Sequence, residues 1–137
     1  MTDLKVVTIQ TDIFWENPHK NLSFYEGEYL NKLEKSKVDL IVLPELFPTG
    51  FKMNTIDFGE EMDGNTINWM QKWANRLSCH LIGSVIIKEN NNYFNRLLVV
   101  SKNGIESFYD KKHLFRIQNC CRRTRFKKGN ESYKKTK

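Results

Sequence analysis

Long hydrophobic runs are missing from this 137-residue chain, and no apolar stretch approaches the roughly 20 residues needed to cross a bilayer. A secretory signal is missing too. The opening Met1-Thr2-Asp3-Leu4-Lys5 has no basic segment followed by an apolar one, so a cytoplasmic protein without membrane contact is expected. Cysteine is scarce. Cys79, Cys120 and Cys121 are an odd number with an adjacent pair, a poor basis for a disulfide framework. There is no Cys-x-x-Cys, and the three histidines stand apart at 19, 80 and 113, so neither a metal site nor a cofactor is expected. Internal repeats and low-complexity segments are also lacking. What remains, 39% hydrophobic and 28% charged residues, fits one small globular domain with its own core.

Positive charge is unevenly spread. Residues 1–115 hold 13 basic and 15 acidic residues, whereas residues 116–137 hold nine basic residues and only Glu131. The formal net charge of +6 therefore arises entirely in the last 22 residues. A basic tail can bind nucleic acid or an anionic surface, and it can equally be a solvated end.

The ordered elements announce themselves by period. Leu4–Val7, with Thr8 and Ile9, reads as a short β-branched run forming a second buried strand. Asn17-Pro18 reads as a helix start, with Asn as N-cap and Pro in the first turn. Leu22, Tyr25, Tyr29 and Leu33 then form one apolar stripe, and the helix closes near Lys35–Lys37. The unbroken run Leu40–Leu43 reads as a central parallel strand buried on both sides. Strand, helix and strand in this order predict a βαβ crossover with parallel strands. About twenty irregular residues follow, a length that often lines a site. Asn65 or Thr66 is placed to cap a second helix carrying Ile67, Met70, Ala74 and Leu77, with Trp69 and Trp73 on a neighbouring face as packing residues. Strands at 81–87, 93–100 and 105–109, joined by Asn90-Asn91-Asn92 and Lys102-Asn103-Gly104, predict an antiparallel meander beside the parallel pair.

Two segments carry candidate chemistry. Pro44 ends the strand, having no N–H for a neighbour, and Glu45 follows at the strand's carboxyl end, where α/β sheets collect ligands. Flanked by Leu46 and Phe47, that carboxylate has surroundings suited to a general base. A solvated glutamate at the start of a loop fits the segment equally well. In Tyr109-Asp110-Lys111-Lys112-His113-Leu114-Phe115, a lysine past a strand end is ordinarily a surface cation. Here apolar residues bracket it, and a lysine held so can donate to a developing oxyanion.

Together these segments resemble the carbon–nitrogen hydrolase (nitrilase) superfamily, with the closest likeness to its ω-amidase-like branch. Gln10-x-Asp12 resembles the family's opening, and Leu43-Pro44-Glu45-Leu46-Phe47 with Gly50-Phe51 resembles the segment bearing its catalytic glutamate. Tyr93-Phe94-Asn95-Arg96-Leu97 looks like another of its strands. Tyr109 to Phe115 looks like the segment bearing its catalytic lysine, which falls on Lys111 rather than Lys112. The resemblance implies an α/β chain forming the N-terminal part of an αββα sandwich, a mixed sheet with helices packed on one face. It also implies a Glu–Lys–Cys triad with Glu45 and Lys111 in two of the places, a small amide as substrate, no cofactor, and a homodimer. In that chemistry a thiolate attacks the amide carbon to give a thioester and ammonia. The glutamate takes the thiol proton and later activates water, and the lysine stabilises the oxyanion.

The third member of the triad is not found. The family's nucleophile lies some thirty or more residues beyond the lysine, in a Cys-Tyr-Asp-x-Arg-Phe type of motif that this chain does not show. Cys120 and Cys121 stand in a run of arginines without the matching neighbours, and Cys79 reads as a core residue at a helix end. The likeness breaks after Arg116, resumes with Phe126-Lys127-Lys128-Gly129-Asn130-Glu131, and leaves Ser132–Lys137 without strand character. The expectation is therefore that residues 1–115 form the N-terminal half of a carbon–nitrogen hydrolase domain. Residues 116–137 are expected to be an aberrant or disordered basic tail, from a truncated or locally frame-shifted gene, and the chain alone to be inactive. The competing expectation is a small non-catalytic binding module with a basic nucleic-acid-binding arm. Such an arm calls for aromatic interleaving or a recognisable fold.

Overall fold

The computed structural model describes residues 3–51, 55–114 and 126–129, with the backbone of 134–135. Its centre is a six-stranded mixed sheet in the order β1-β2-β3-β4-β5-β6. The strands are β1 (Val6–Thr8), β2 (Leu40–Val42), β3 (His80–Glu89), β4 (Asn92–Ser101), β5 (Gly104–Asp110) and β6 (Lys134–Lys135). β1, β2 and β3 run parallel, and β3, β4 and β5 form the antiparallel meander. Asn90 and Asn91 turn the first hairpin with φ of 49° and 59°, a pair of left-handed conformations that asparagine tolerates better than most residues. Gly104, at φ 109°, closes the second.

The crossover is the one the sequence predicts. α1 (Pro18–Tyr25) starts with Pro18 in its first turn, and the Asn17 side chain accepts from the N–H of Lys20 at 3.0 Å. The helix continues through a π-helical turn, Glu26–Leu30, into α2 (Asn31–Leu33). α3 (Asn65–Leu77) departs from expectation at its start: its cap residue is Gly64, and the side chain that satisfies the N–H of Thr66 in its first turn comes from Glu60. Glu60 accepts from the N–H and the hydroxyl of Thr66, so the cap is supplied across a loop and is invisible to local sequence.

All three helices lie on one face of the sheet. There, Ile41, Leu81, Val85, Ile87, Leu98 and Val100 meet Tyr25, Leu30, Ile67, Met70, Trp73 and Ala74 in the main core. The expectation that Leu40–Leu43 is buried on both sides is corrected: Ile41 is fully buried, but Leu40 and Val42 are only partly covered. Alternate residues of a strand face opposite ways, and only one face carries helices. Val6, Leu40, Val42, Ile82, Leu97 and Val99 share the other face by register. β1, expected to be buried, is an exposed edge, with Val6 46% exposed.

One stretch of that second face is covered. Leu46, Ile86 and Tyr93 form a smaller cluster, joined by Phe51, Phe58 and Phe126. Phe126 bridges Tyr93 in parallel, and Lys127 N–H donates to the Tyr93 carbonyl at 2.7 Å. The expectation that Ser132–Lys137 has no strand character is also corrected, because Lys134–Lys135 pairs antiparallel with Ser107 and Phe108. Strand pairing draws on backbone donors and acceptors that lysine has in full. Residues 115–125, including Cys120 and Cys121, lie outside the described residues.

Candidate active site

The route to the site begins where β2 stops. Leu43 N–H still donates to the Ile82 carbonyl at 2.7 Å, and Pro44 then has nothing to give. The chain turns at Glu45-Leu46. Leu46 sits at φ +48°, a costly conformation for a leucine, and it is held there by full burial and by its N–H, which donates to Ser84 Oγ at 2.8 Å. Thr49 and Gly50 N–H groups close the turn on the Leu46 carbonyl. The strained turn carries Glu45 over the middle of the β3–β4 ladder, within reach of Asn95.

Lys111 arrives from the far side. It follows β5 directly, and its N–H donates to the Asn95 carbonyl at 2.9 Å, extending the β4–β5 ladder by one step. Its ammonium donates to Glu45 Oε1 at 2.6 Å, so two residues 66 apart in sequence meet. The same oxygen accepts a second bond, from Asn95 Nδ2 at 2.7 Å. Lys112 takes no part in this contact; its N–H reaches the Tyr109 hydroxyl at 3.4 Å.

These groups open into a cavity of about 290 Å³ lined by Leu43, Pro44, Glu45, Ser84, Asn95, Leu97, Tyr109 and Lys111. Its walls are apolar, and its polar groups converge on one carboxylate and one ammonium, the usual make-up of a small-molecule site. Glu45 is not sealed in: its side chain is 46% exposed. A second hollow, about 510 Å³, lies beside the start of α3, but its Glu60 carboxylate is already engaged in capping that helix.

No cysteine among the described residues reaches this cavity. Cys79 sits just before β3, which runs parallel to β2, so it lies at the opposite end of the strands from Glu45. It is buried, as expected for a core residue, and that burial pushes its thiol up to about 11. Among the described residues no group of histidine, cysteine and carboxylate side chains could hold a metal ion.

The family profile of carbon–nitrogen hydrolases matches residues 5–134, nearly the whole chain. The chain belongs to the carbon–nitrogen hydrolase family. Curated relatives agree. Omega-amidase YafV of Escherichia coli (strain K12) is 32% identical over 117 residues, covering 85% of this chain and 44% of that protein. 2-oxoglutaramate amidase of Bacillus subtilis (strain 168) is 31% identical over 114 residues, covering 81% of this chain and 43% of that protein. Among solved structures, XC1258 of Xanthomonas campestris is a CN-hydrolase superfamily protein with an arsenic adduct in its active site. It superposes with a TM-score of 0.83 at 37% identity, over 96% of this chain and 48% of that one. This carbon–nitrogen hydrolase chain thus spans about half the length of the relatives it matches. A non-catalytic module with a nucleic-acid-binding arm finds no support in these relatives.

Sequence reasoning missed Ser84 as a brace for the turn and Asn95 as a partner of Glu45. The signal for Asn95 was present. Asparagine is disfavoured inside strands, and Asn95 interrupts a β-branched and aromatic run on the face that alternates Tyr93, Leu97 and Val99.

Proposed function

We propose that this chain carries the glutamate–lysine part of an ω-amidase-like hydrolase acting on short 2-oxo-dicarboxylic acid amides. The observation that supports the reading is the 2.6 Å contact between Lys111 and Glu45 at the mouth of an apolar cavity. In this reading Glu45 is the general base and Lys111 the oxyanion donor. The amide carbonyl lies beside the ammonium, the aliphatic part of the substrate lies along Leu43, Leu97 and Tyr109, and the leaving nitrogen faces Glu45. The reaction needs a thiol to attack the carbon, expel ammonia and pass the acyl group to water, with the thiol regenerated. The described cysteine is buried at the wrong end of the sheet, so the isolated chain is read as binding-competent but hydrolytically silent.

Titrating 2-oxoglutaramate into isotopically labelled chain, with backbone resonances followed by NMR, tests the reading. Shifts should concentrate on Leu43, Ser84, Asn95, Leu97 and Lys111 and vanish in Lys111→Ala. Shifts confined to other parts of the sheet, or insensitive to Lys111→Ala, would overturn it.

A further inference from the structure

Glu45 and Lys111 are held together by a third residue to which no role has been given. Asn95 is 4% exposed, and it touches both of them. Its side chain donates to Glu45 Oε1 at 2.7 Å, and its main-chain carbonyl accepts from the N–H of Lys111 at 2.9 Å. Asn95 itself is fixed by strand pairing, opposite Ile86 in the centre of the β3–β4 ladder. One residue inside the β3–β4 ladder therefore sets the positions of two residues carried by strand ends.

The consequence for the carboxylate is asymmetric. Oε1 receives two donors, the Lys111 ammonium and the Asn95 amide, while Oε2 takes none among the described residues. A carboxylate gripped by one oxygen keeps its plane and presents the other oxygen in a fixed direction. Without the amide, Glu45 is a side chain on a turn, nearly half exposed, with one flexible lysine as its tether. We propose that Asn95 is a positioning residue that assigns the two oxygens of Glu45 different tasks: Oε1 anchors the lysine, and Oε2 is the oxygen presented to the proton that must be moved. The division of tasks rests on reading Glu45 as the general base. The positioning itself does not, and the two can fail separately.

Zero-length crosslinking reads the positioning directly. A water-soluble carbodiimide activates the Glu45 carboxyl, and the Lys111 amine displaces it. An amide bond forms, and the carboxyl oxygen leaves in the urea. The linked peptides are counted by mass spectrometry, with the exposed Glu28–Lys32 pair, at 3.1 Å between the π-helical turn and α2, as internal control. A hydrogen bond to a charged group shifts a local population by about fivefold or more, so Asn95→Ala should lower the Glu45–Lys111 product by about that factor and leave the control unchanged. Asn95→Ser, too short to reach Glu45 but still polar, should do the same. An unchanged Glu45–Lys111 product with an unchanged control would overturn the proposal.

A second measurement does not depend on Asn95 variants remaining folded. In Glu45→Ala, a change at a half-exposed site, the side-chain amide resonances of Asn95 should move, because their acceptor is gone. Resonances that stay in place would show that no such bond exists in solution, and the proposal would fall. Failure of the 2-oxoglutaramate titration alone would instead remove the assigned chemistry and leave the positioning standing.

Discussion

Arg96 and Asp110 face each other across β4 and β5 in a two-pronged ion pair, Nε to Oδ1 at 2.6 Å and Nη2 to Oδ2 at 2.9 Å. The guanidinium is essentially fully buried and lies over the rings of Phe108 and Phe94, 4.1 and 5.2 Å from their centroids. Glu89 supplies a further, more exposed carboxylate at 3.1 Å. Asp110 is the residue immediately before Lys111, so this pair fixes the end of β5 from the helix side while Asn95 fixes it from the other. Removing one partner of a buried pair strands the other charge, which costs about 3–5 kcal/mol. Arg96→Ala should therefore lower the urea midpoint severely, whereas Arg96→Met with Asp110→Leu, which removes both charges, should be far milder. Equal losses in the single and double variants would contradict this account.

Gly129 makes a second contact with the same corner. Its N–H donates to the Lys111 carbonyl at 3.2 Å, and a Cβ at that position would fall 1.9 Å from the Asp110 carbonyl oxygen. Backbone cannot yield to that extent, so Gly129→Ala should push residues 126–129 off the sheet. The loss should be about 1–3 kcal/mol, in the range of an overpacked site. Faster amide exchange at residue 129 and Lys127, whose N–H groups donate to Lys111 and Tyr93, with the β3–β4 ladder unchanged, is the expected signature.

Acid should loosen the packing of α3 on the π-helical turn that follows α1 before it touches the sheet. Burial works against the charge of Glu26, but hydrogen bonds from Trp73, Lys72 and Trp69 outweigh it and hold its carboxyl below the usual range. Both indole N–H groups reach the same oxygen, at 2.8 Å from Trp69 and 2.9 Å from Trp73. A carboxyl whose folded-state value is depressed stabilises the fold above its unfolded value of 4.5, and that contribution disappears as pH falls through the lower folded value. Tryptophan fluorescence should report a transition below pH 4.5 that flattens in Glu26→Gln, which keeps an acceptor but cannot titrate. An identical acid profile in both proteins would exclude Glu26 as its origin.

The parts of this architecture that could be read in the sequence were those with local causes. The stripe Leu22, Tyr25, Tyr29, Leu33 makes a helix wherever it is placed, and Asn90-Asn91 makes a tight turn because those residues accept left-handed backbone. Glu45 was legible because a proline stops the ladder immediately before it. What escaped the sequence was non-local. The cap of α3 comes from Glu60, the grip on Glu45 comes from Asn95, fifty residues away, and the half-covered state of β2 depends on what lies over the sheet. The pairing of Lys134–Lys135 escaped because the backbone makes it and side-chain pattern does not.

The isolated chain should release no ammonia from 2-oxoglutaramate above background. Cys79 is buried, protonated at neutral pH and at the far end of the strands from Glu45. An ammonia assay sensitive to a single turnover is sufficient. Release that disappears in Cys120→Ala or Cys121→Ala would identify a nucleophile in the arginine-rich segment and overturn the expectation of silence.

The last prediction concerns the uncovered face of the sheet. Leu4 is 68% exposed, Val6 46% and Leu97 38%, and Leu40, Val42, Ile82 and Val99 beside them are only partly buried. By register they adjoin across β1 to β4, so they form a continuous apolar surface and are not scattered single residues. Monomeric proteins seldom tolerate such a patch beyond a few hundred Å². β1 is also an edge strand in this sheet, which offers a template for pairing with another chain. The purified chain should bind hydrophobic dyes strongly, melt over a broad range and self-associate as concentration rises. Leu4→Lys with Val6→Lys places charge on the edge and on the patch, far from Glu45 in the fold, and should reduce both dye binding and association. Sedimentation velocity with dye fluorescence is the check. A monodisperse monomer with a sharp melt and no dye binding would show that this face is covered in solution by something other than a partner, and the half-domain reading would have to be abandoned.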